Sequence, residues 1–191
     1  MRLFIAIPLP SDVAQRAFAV LPQTLPGLRR VQPDNLHVTL AFLGETPESR
    51  LPDVAAAAED AARAVRRFTL GFDRAGRFPE RGRPRVVWLG MAQGRSSVER
   101  LGEAVFRALR ESALDFEDRP LSPHLTLARV RDEATAAESR TVAATIDTLE
   151  VPSLLVDVRE IAVVQSVLSS KGPRYTARAT APLEGVGRDH V

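Results

Sequence analysis

The chain has 191 residues but no cysteine, and only one lysine, one tyrosine, one tryptophan and three histidines. Without cysteine there can be no disulfide, no thiolate nucleophile and no cysteine-ligated metal. The absence fits a reducing compartment, and the cytoplasm is the expected location. No stretch approaches the roughly 20 apolar residues of a membrane-spanning helix. The opening MRLFIAIPLP is a short apolar run closed by two prolines and followed by Ser11 and Asp12, so it reads as a strand and not as a targeting segment. With one lysine and one tyrosine, almost nothing titrates in the alkaline range, which reconciles a pI near 9.8 with a net charge of only +2. All the other cations are arginines. A bias toward arginine accounts for most of this, although arginine also pairs bidentately with phosphate. A whole-molecule field for nucleic acid is not implied; a local patch is the most that this charge allows.

What is present is the composition of a globular protein, 45% hydrophobic and 26% charged, long enough to bury a core without staples. Leu3–Ile7 predicts a strand. Ser11 offers an N-cap for a helix carrying Val13, Ala14, Ala17, Phe18 and Leu21 on one face. Residues 35–43 predict the next strand, and a helix follows from about 52 to 66 with Val54, Ala58, Ala61 and Val65 inward. Phe68–Phe72 and Arg85–Leu89 read as strands joined by the loop RAGRFPERGRPR. Ser96 or Ser97 would cap a helix striped by Val98, Leu101, Val105 and Leu109. A strand at 121–130, a weaker helix at about 133–146, and strands near 151–157, 159–168 and 174–180 complete the chain. Lys171-Gly172-Pro173 reads as a turn, and the tail from Glu184, which holds His190, reads as frayed.

Two stretches repeat one another. NLHVTLAFLG (35–44) and SPHLTLARVR (122–131) share His, an aliphatic residue, Thr, Leu and Ala in the same order, 87 positions apart. Threonine fills 11 of 191 positions, so both histidines being followed two residues on by threonine has a chance of about 0.003 on composition. A lone His-x-Thr on a strand is ordinarily structural; the matched pair reverses that expectation. Alternation puts His37, Thr39 and Ala41 on one strand face and Val38, Leu40 and Phe42 on the other. It likewise groups His124, Thr126 and Ala128 opposite Leu125, Leu127 and Arg129. The small alanines would leave an open floor beside His and Thr, and Phe42 would lie in the core. Two motifs in comparable surroundings predict an α+β fold of two similar lobes packed as a single domain, residues 1–191, with motifs at 37–40 and 124–127.

Two histidines can supply both a base and an acid. Hydrolysis of a phosphodiester requires both, one to activate water and one to protonate the departing oxygen. Threonine hydroxyls on the same face can donate to non-bridging phosphate oxygens as charge develops. The inventory for a metal is poor, with two histidines and no carboxylate at the matching positions, so no metal and no cofactor is expected. There is no phosphate-binding glycine loop, nucleophile elbow or dinucleotide fingerprint.

The paired H-x-T-L motifs, with RLFIAIPLP, NLHVTLAFLGE, RVVWLGM, PHLTLARVR and RYT around them, resemble the two-histidine (2H) phosphoesterase family. The resemblance is to its bacterial and archaeal RNA 2′,3′-cyclic phosphodiesterases, also called 2′–5′ RNA ligases. It implies a bilobal fold, with an antiparallel sheet in each lobe flanked by helices, and a His/Thr site in the cleft between them. It implies opening of a 2′,3′-cyclic phosphate RNA end to a 2′-phosphate, with ATP-independent 2′–5′ joining as the reverse chemistry. By position, His37 would be the general acid toward the leaving 3′ oxygen and His124 the general base, roles that the symmetry of the motifs leaves open to exchange. Thr39 and Thr126 would bind the phosphate. Arg129 matches the basic residue that follows the second motif, but alternation puts it on the wrong face unless the strand bulges. The expected partners are RNA ends or small cyclic-phosphate nucleotides, with no membrane and no obligate protein partner, and the chain is expected to be a monomer. The same chemistry on a cyclic mononucleotide or a 2′–5′ oligonucleotide is the alternative, and a non-catalytic RNA-end binding module is another. Arg77, Arg81, Arg83 and Arg85 crowd one loop and suit a solvated surface or an RNA backbone equally. RYT carries Arg174 and Tyr175 near the cleft by resemblance, with Tyr175 otherwise a packed strand aromatic; Trp88 reads as core.

Overall fold

The computed structural model describes residues 1–169 and 172–184. Of the turn expected at Lys171-Gly172-Pro173, Gly172 and Pro173 begin the last strand, paired with the preceding one through Ser169–Gly172, and Lys171 lies outside the described residues, as does the tail beyond Glu184 with His190. Fifteen short elements follow one another along the chain, of which nine are strands and four are α-helices.

The apolar run at the start forms strand β1 (Arg2–Pro8), whose five inner residues are all buried. Burial on both faces marks a central strand, and β1 pairs with β3 (His37–Glu45) on one side and β8 (Glu160–Ser169) on the other. β9 (Gly172–Pro182) completes that half as the hairpin partner of β8. The other half consists of β4 (Phe68–Phe78), β5 (Val86–Gln93), β6 (Leu125–Val130) and β7 (Glu150–Val158). Every pairing is antiparallel, and the order across the sheet is β7-β4-β5-β6-β3-β1-β8-β9. The short strand β2 (Leu28–Arg30) lies against β6.

The halves meet only where β3 and β6 pair, and there a single residue pair, Val38 with Leu125, is in register. Beyond it the strands diverge. Phe42 carbonyl on β3 accepts from the Glu117 amide at 2.8 Å, and Leu127 carbonyl on β6 accepts from the Val31 amide at 2.8 Å. Divergence of two histidine-bearing strands from one shared contact opens a cleft.

Helices cover the opposite face. α2 (Leu51–Arg63) and α3 (Arg95–Glu111) lie against the β1–β3–β8–β9 half, while α1 (Ser11–Ala19) and α4 (Ala136–Asp147) lie against the other. Their buried stripes, such as Val98, Leu101, Val105 and Leu109 on α3, are those the sequence spacing predicts. The caps differ from expectation. Ser11 is the first helical residue of α1, with Pro10 in the cap position and the Ala14 amide bonded to the Pro10 carbonyl at 2.9 Å. α3 starts at Gly94, not at a serine. Gly94 has φ +79°, and a Cβ there would stand 2.4 Å from the Thr69 carbonyl oxygen, so only glycine fits. α4 begins with a capping box in which Thr135 and Glu138 each bond the other's backbone N–H.

The first part of the loop expected between Phe72 and Arg85 is strand. β4 continues to Phe78, paired with β5 through Phe78–Val86. The local polarity and glycine of RAGRF suggested a loop, but the ladder to β5 overrides that propensity. The glycine has a packing reason: a Cβ on Gly76 would lie 2.3 Å from the Trp88 ring. Among the described residues, no helix is long and apolar enough to cross a membrane.

Candidate active site

Val38 and Leu125 are completely buried, so their neighbours His37, Thr39, His124 and Thr126 turn to the cleft. Extending the antiparallel register from the Val38–Leu125 pair sets His37 across from Thr126 and Thr39 across from His124. The two histidines are then diagonal neighbours across an approximate two-fold. The charge of His124 bears on His37, so the two imidazoles share one cleft.

Both imidazoles are anchored in the same way. His37 Nδ1 lies 2.7 Å from the Asn35 carbonyl oxygen, and His124 Nδ1 lies 2.6 Å from the Ser122 carbonyl oxygen. A carbonyl only accepts, so each Nδ1 carries the proton and each Nε2 is left free. Aromatic rings bracket both side chains. His37 has Phe4 at 4.7 Å and Tyr175 edge-on at 5.4 Å; His124 has Phe78 edge-on at 5.2 Å and Trp88 at 6.5 Å.

These surroundings set the protonation. Burial pushes His37 below the usual imidazole range; the Asn35 carbonyl opposes this, and the charges of His124 and Arg129 add to the depression. Burial also lowers His124, with the Ser122 carbonyl opposing and Arg129 reinforcing. Tyr175 is pushed up by burial. Both imidazoles are therefore neutral at pH 7 in the free protein, and each responds to the same arginine.

Arg129 faces the cleft after all. On β5, Trp88 pairs with Thr126 but Val86 pairs with Arg129, so one extra residue of β6, Leu127, is accommodated between them. That bulge resets the alternation. Leu127 and Ala128 are both buried and Arg129 turns to the same side as Thr126. β3 does the same at the equivalent place: Ala6 of β1 pairs with Thr39 and Phe4 pairs with Phe42, with one register shift in between. Phe42 is 39% exposed and stands 6.1 Å from Phe4, so it belongs to the cleft and not to the core. The alanines move the other way. Ala41 and Ala128 are in the core, so they form no open floor.

Trp88 is likewise only half-buried, on the Thr126 side of β5, between the fully buried Val87 and Leu89. Tyr175 lies at His37 as the resemblance implies, whereas the other rings and the carbonyl anchors were not expected from the sequence. Backbone carbonyls leave no signature there. Phe4 and Trp88 did leave one, as single aromatics on the apolar strands flanking the motifs.

Two cavities are lined by residues that act on the histidines. One of about 350 Å³ is lined by Asn35, Arg174 and Tyr175 among others, and one of about 510 Å³ extends from Arg129 along Arg29, Arg85 and Arg131. Among the described residues no three His, Cys, Asp or Glu side chains group as metal ligands would.

Comparison with known proteins finds relatives over most of the chain. The RNA 2′,3′-cyclic phosphodiesterase of Thermus thermophilus is 38% identical over 97% of this chain and 91% of its own length. That of Archaeoglobus fulgidus is 31% identical over 92% of this chain and 96% of its own. Among solved structures, the Thermus thermophilus protein TT0787 superposes with a TM-score of 0.74 at 33% identity, covering 97% of this chain and 99% of that one. Escherichia coli LigT complexed with 3′-AMP superposes with a TM-score of 0.72 at 29% identity, covering 95% and 97%. The family model of the 2′-5′ RNA ligase superfamily matches residues 10–168, and the chain belongs to that superfamily.

Proposed function

We propose that the protein is a metal-independent RNA 2′,3′-cyclic phosphodiesterase working through paired acid–base histidines. The observation that carries this is the cross-register of the two motifs, which sets each histidine opposite the other motif's threonine with both Nε2 atoms free. In-line displacement at phosphorus places the attacking and leaving oxygens on opposite sides, as the two histidines are placed.

His124 Nε2 accepts a proton from water as the water oxygen bonds to phosphorus. The bond from phosphorus to O3′ breaks, and O3′ takes the proton of His37. The product carries a 2′-phosphate and a 3′-hydroxyl. Thr39 and Thr126 donate to the non-bridging oxygens, and Arg129 balances their charge. Replacing water by a 5′-hydroxyl leaves every other step unchanged and yields a 2′–5′ phosphodiester, so ligation needs no nucleotide triphosphate. The substrate's own negative charge between the imidazoles raises their proton affinity, supplying the protonated acid that burial and Arg129 otherwise disfavour.

The test is hydrolysis of an oligonucleotide ending in a 2′,3′-cyclic phosphate, in the presence of a chelator. His37→Ala and His124→Ala are each expected to lower kcat by about 10²–10⁴. Unchanged rates in both variants, or loss of wild-type activity to the chelator, would overturn the mechanism.

A further inference from the structure

The arginine-rich stretch that the sequence left undecided separates into distinct roles. Arg77 is ion-paired with Asp147 at 3.2 Å. Arg83 donates to the carbonyls of Arg131, Asp132 and Ala134 at 3.4, 2.9 and 2.8 Å, tying down the turn after β6. Arg85 has neither kind of partner. With Arg29, Arg129 and Arg131 it lines the 510 Å³ cavity; among the described residues these four side chains make no hydrogen bond or ion pair, and only Arg131 bears electrostatically on a carboxylate, that of Glu138. Some exposed arginines elsewhere pair with carboxylates, as Arg50, Arg95, Arg110 and Arg159 do; what sets these four apart is that they converge on one cavity.

Two of these arginines stand against one another. Arg29 of β2 is directly opposite Arg129 of β6, and like charges directly opposite in a ladder repel. Arg131 follows Arg129 by two strand residues, about 7 Å, close to the spacing of successive phosphates on an extended RNA strand. Arg85 flanks them from the residue just before β5, its carbonyl accepting from the Val130 amide at 2.9 Å. The row starts at the residue whose charge bears on both histidines and leads outward. Asp132 and Glu133 also line the cavity.

We infer that this groove holds the phosphodiesters on the 5′ side of the nucleotide bearing the cyclic phosphate. Arg29, Arg85 and Arg131 thereby make the enzyme selective for RNA ends over cyclic mononucleotides. The inference rests on the cyclic phosphodiesterase reading of the histidine site. A cyclic mononucleotide reaches the histidines, the threonines and Arg129 but has no upstream phosphate for the other three arginines.

The experiment measures kcat/KM on a six-nucleotide RNA ending in a 2′,3′-cyclic phosphate and on 2′,3′-cyclic AMP, over a range of KCl concentrations. Wild type is compared with Arg29→Gln, Arg85→Gln, Arg131→Gln and, as a charge control on the exposed side of α3, Arg107→Gln. All four side chains are exposed, so the substitutions leave the core intact. Each groove variant is expected to lose roughly 3–10-fold on the hexanucleotide, through KM, and less than 2-fold on cyclic AMP. The slope of log KM against log salt should fall by about 0.7 per phosphate contact removed. Arg107→Gln should change neither substrate. Equal losses on both substrates, no loss on either, or an equal effect of Arg107→Gln would overturn the groove. Anisotropy of the labelled 2′-phosphate product hexamer separates this inference from the mechanism beneath it. Weakened product binding in the groove variants supports the groove even where turnover fails, and undiminished binding overturns it.

Discussion

At the scale of residues, the site depends on how two imidazoles are held neutral and aimed. Each donates Nδ1–H to the carbonyl two residues earlier, so each presents Nε2 to the same gap. Arg129 bears on both, since a nearby cation disfavours a second positive charge. Removing it favours protonation of each imidazole. Arg129→Gln should therefore move both limbs of the kcat/KM–pH profile to higher pH and raise KM, while Arg129→Lys keeps the limbs in place. The limbs report apparent values of the coupled pair and not of one residue. Limbs that stay put in Arg129→Gln would show that Arg129 does not act on the histidines.

Among the elements, the histidine strands show what was legible and what was not. The His-x-Thr spacing, the alternation from 37 to 40 and from 124 to 126, and the apolar stripes of α2 and α3 follow directly from sequence period. The bulges do not, because no glycine or other special residue marks them at Leu40 or Leu127. Simple alternation therefore misplaced Phe42, Arg129, Ala41 and Ala128 at once, all beyond the bulges. α4 is the opposite case. Thr135 and Glu138 spelled out a capping box that apolar spacing alone made look weak. Parity and bulge predict different stabilities. With Phe42 in the cleft, Phe42→Ala should cost about 1 kcal/mol or less, whereas the buried Leu40 should cost about 2–5 kcal/mol as Leu40→Ala. Urea midpoints distinguish the two, and a Phe42→Ala cost as large as that of Leu40→Ala would place Phe42 back in the core.

For the whole molecule, the two sides of the sheet draw their strands from separate parts of the chain. β1, β3, β8 and β9 form one side, drawn from both ends of the sequence, and β4 to β7 form the other. α3 leaves β5 on one side to pack against β3 on the other. The cleft between them holds two histidines whose proton affinity is lowered by folding, and this links the site to global stability. Between the depressed folded values and the ordinary value near 6.5, the unfolded chain binds more protons than the folded one, so stability rises with pH across that window. The contribution is complete above about pH 6.5 and is lost as pH falls through the folded values. Wild type should thus lose urea resistance from pH 7 to pH 5, and a His37→Asn/His124→Asn double variant, with nothing to titrate there, should lose less. Inorganic phosphate at pH 6 should restore part of the wild-type loss by binding the folded state and favouring its protonated histidines, with little effect on the double variant. If wild type and double variant fall in parallel, the histidines are as easily protonated in the folded chain as in the unfolded one, and the cleft imposes no cost on their charge.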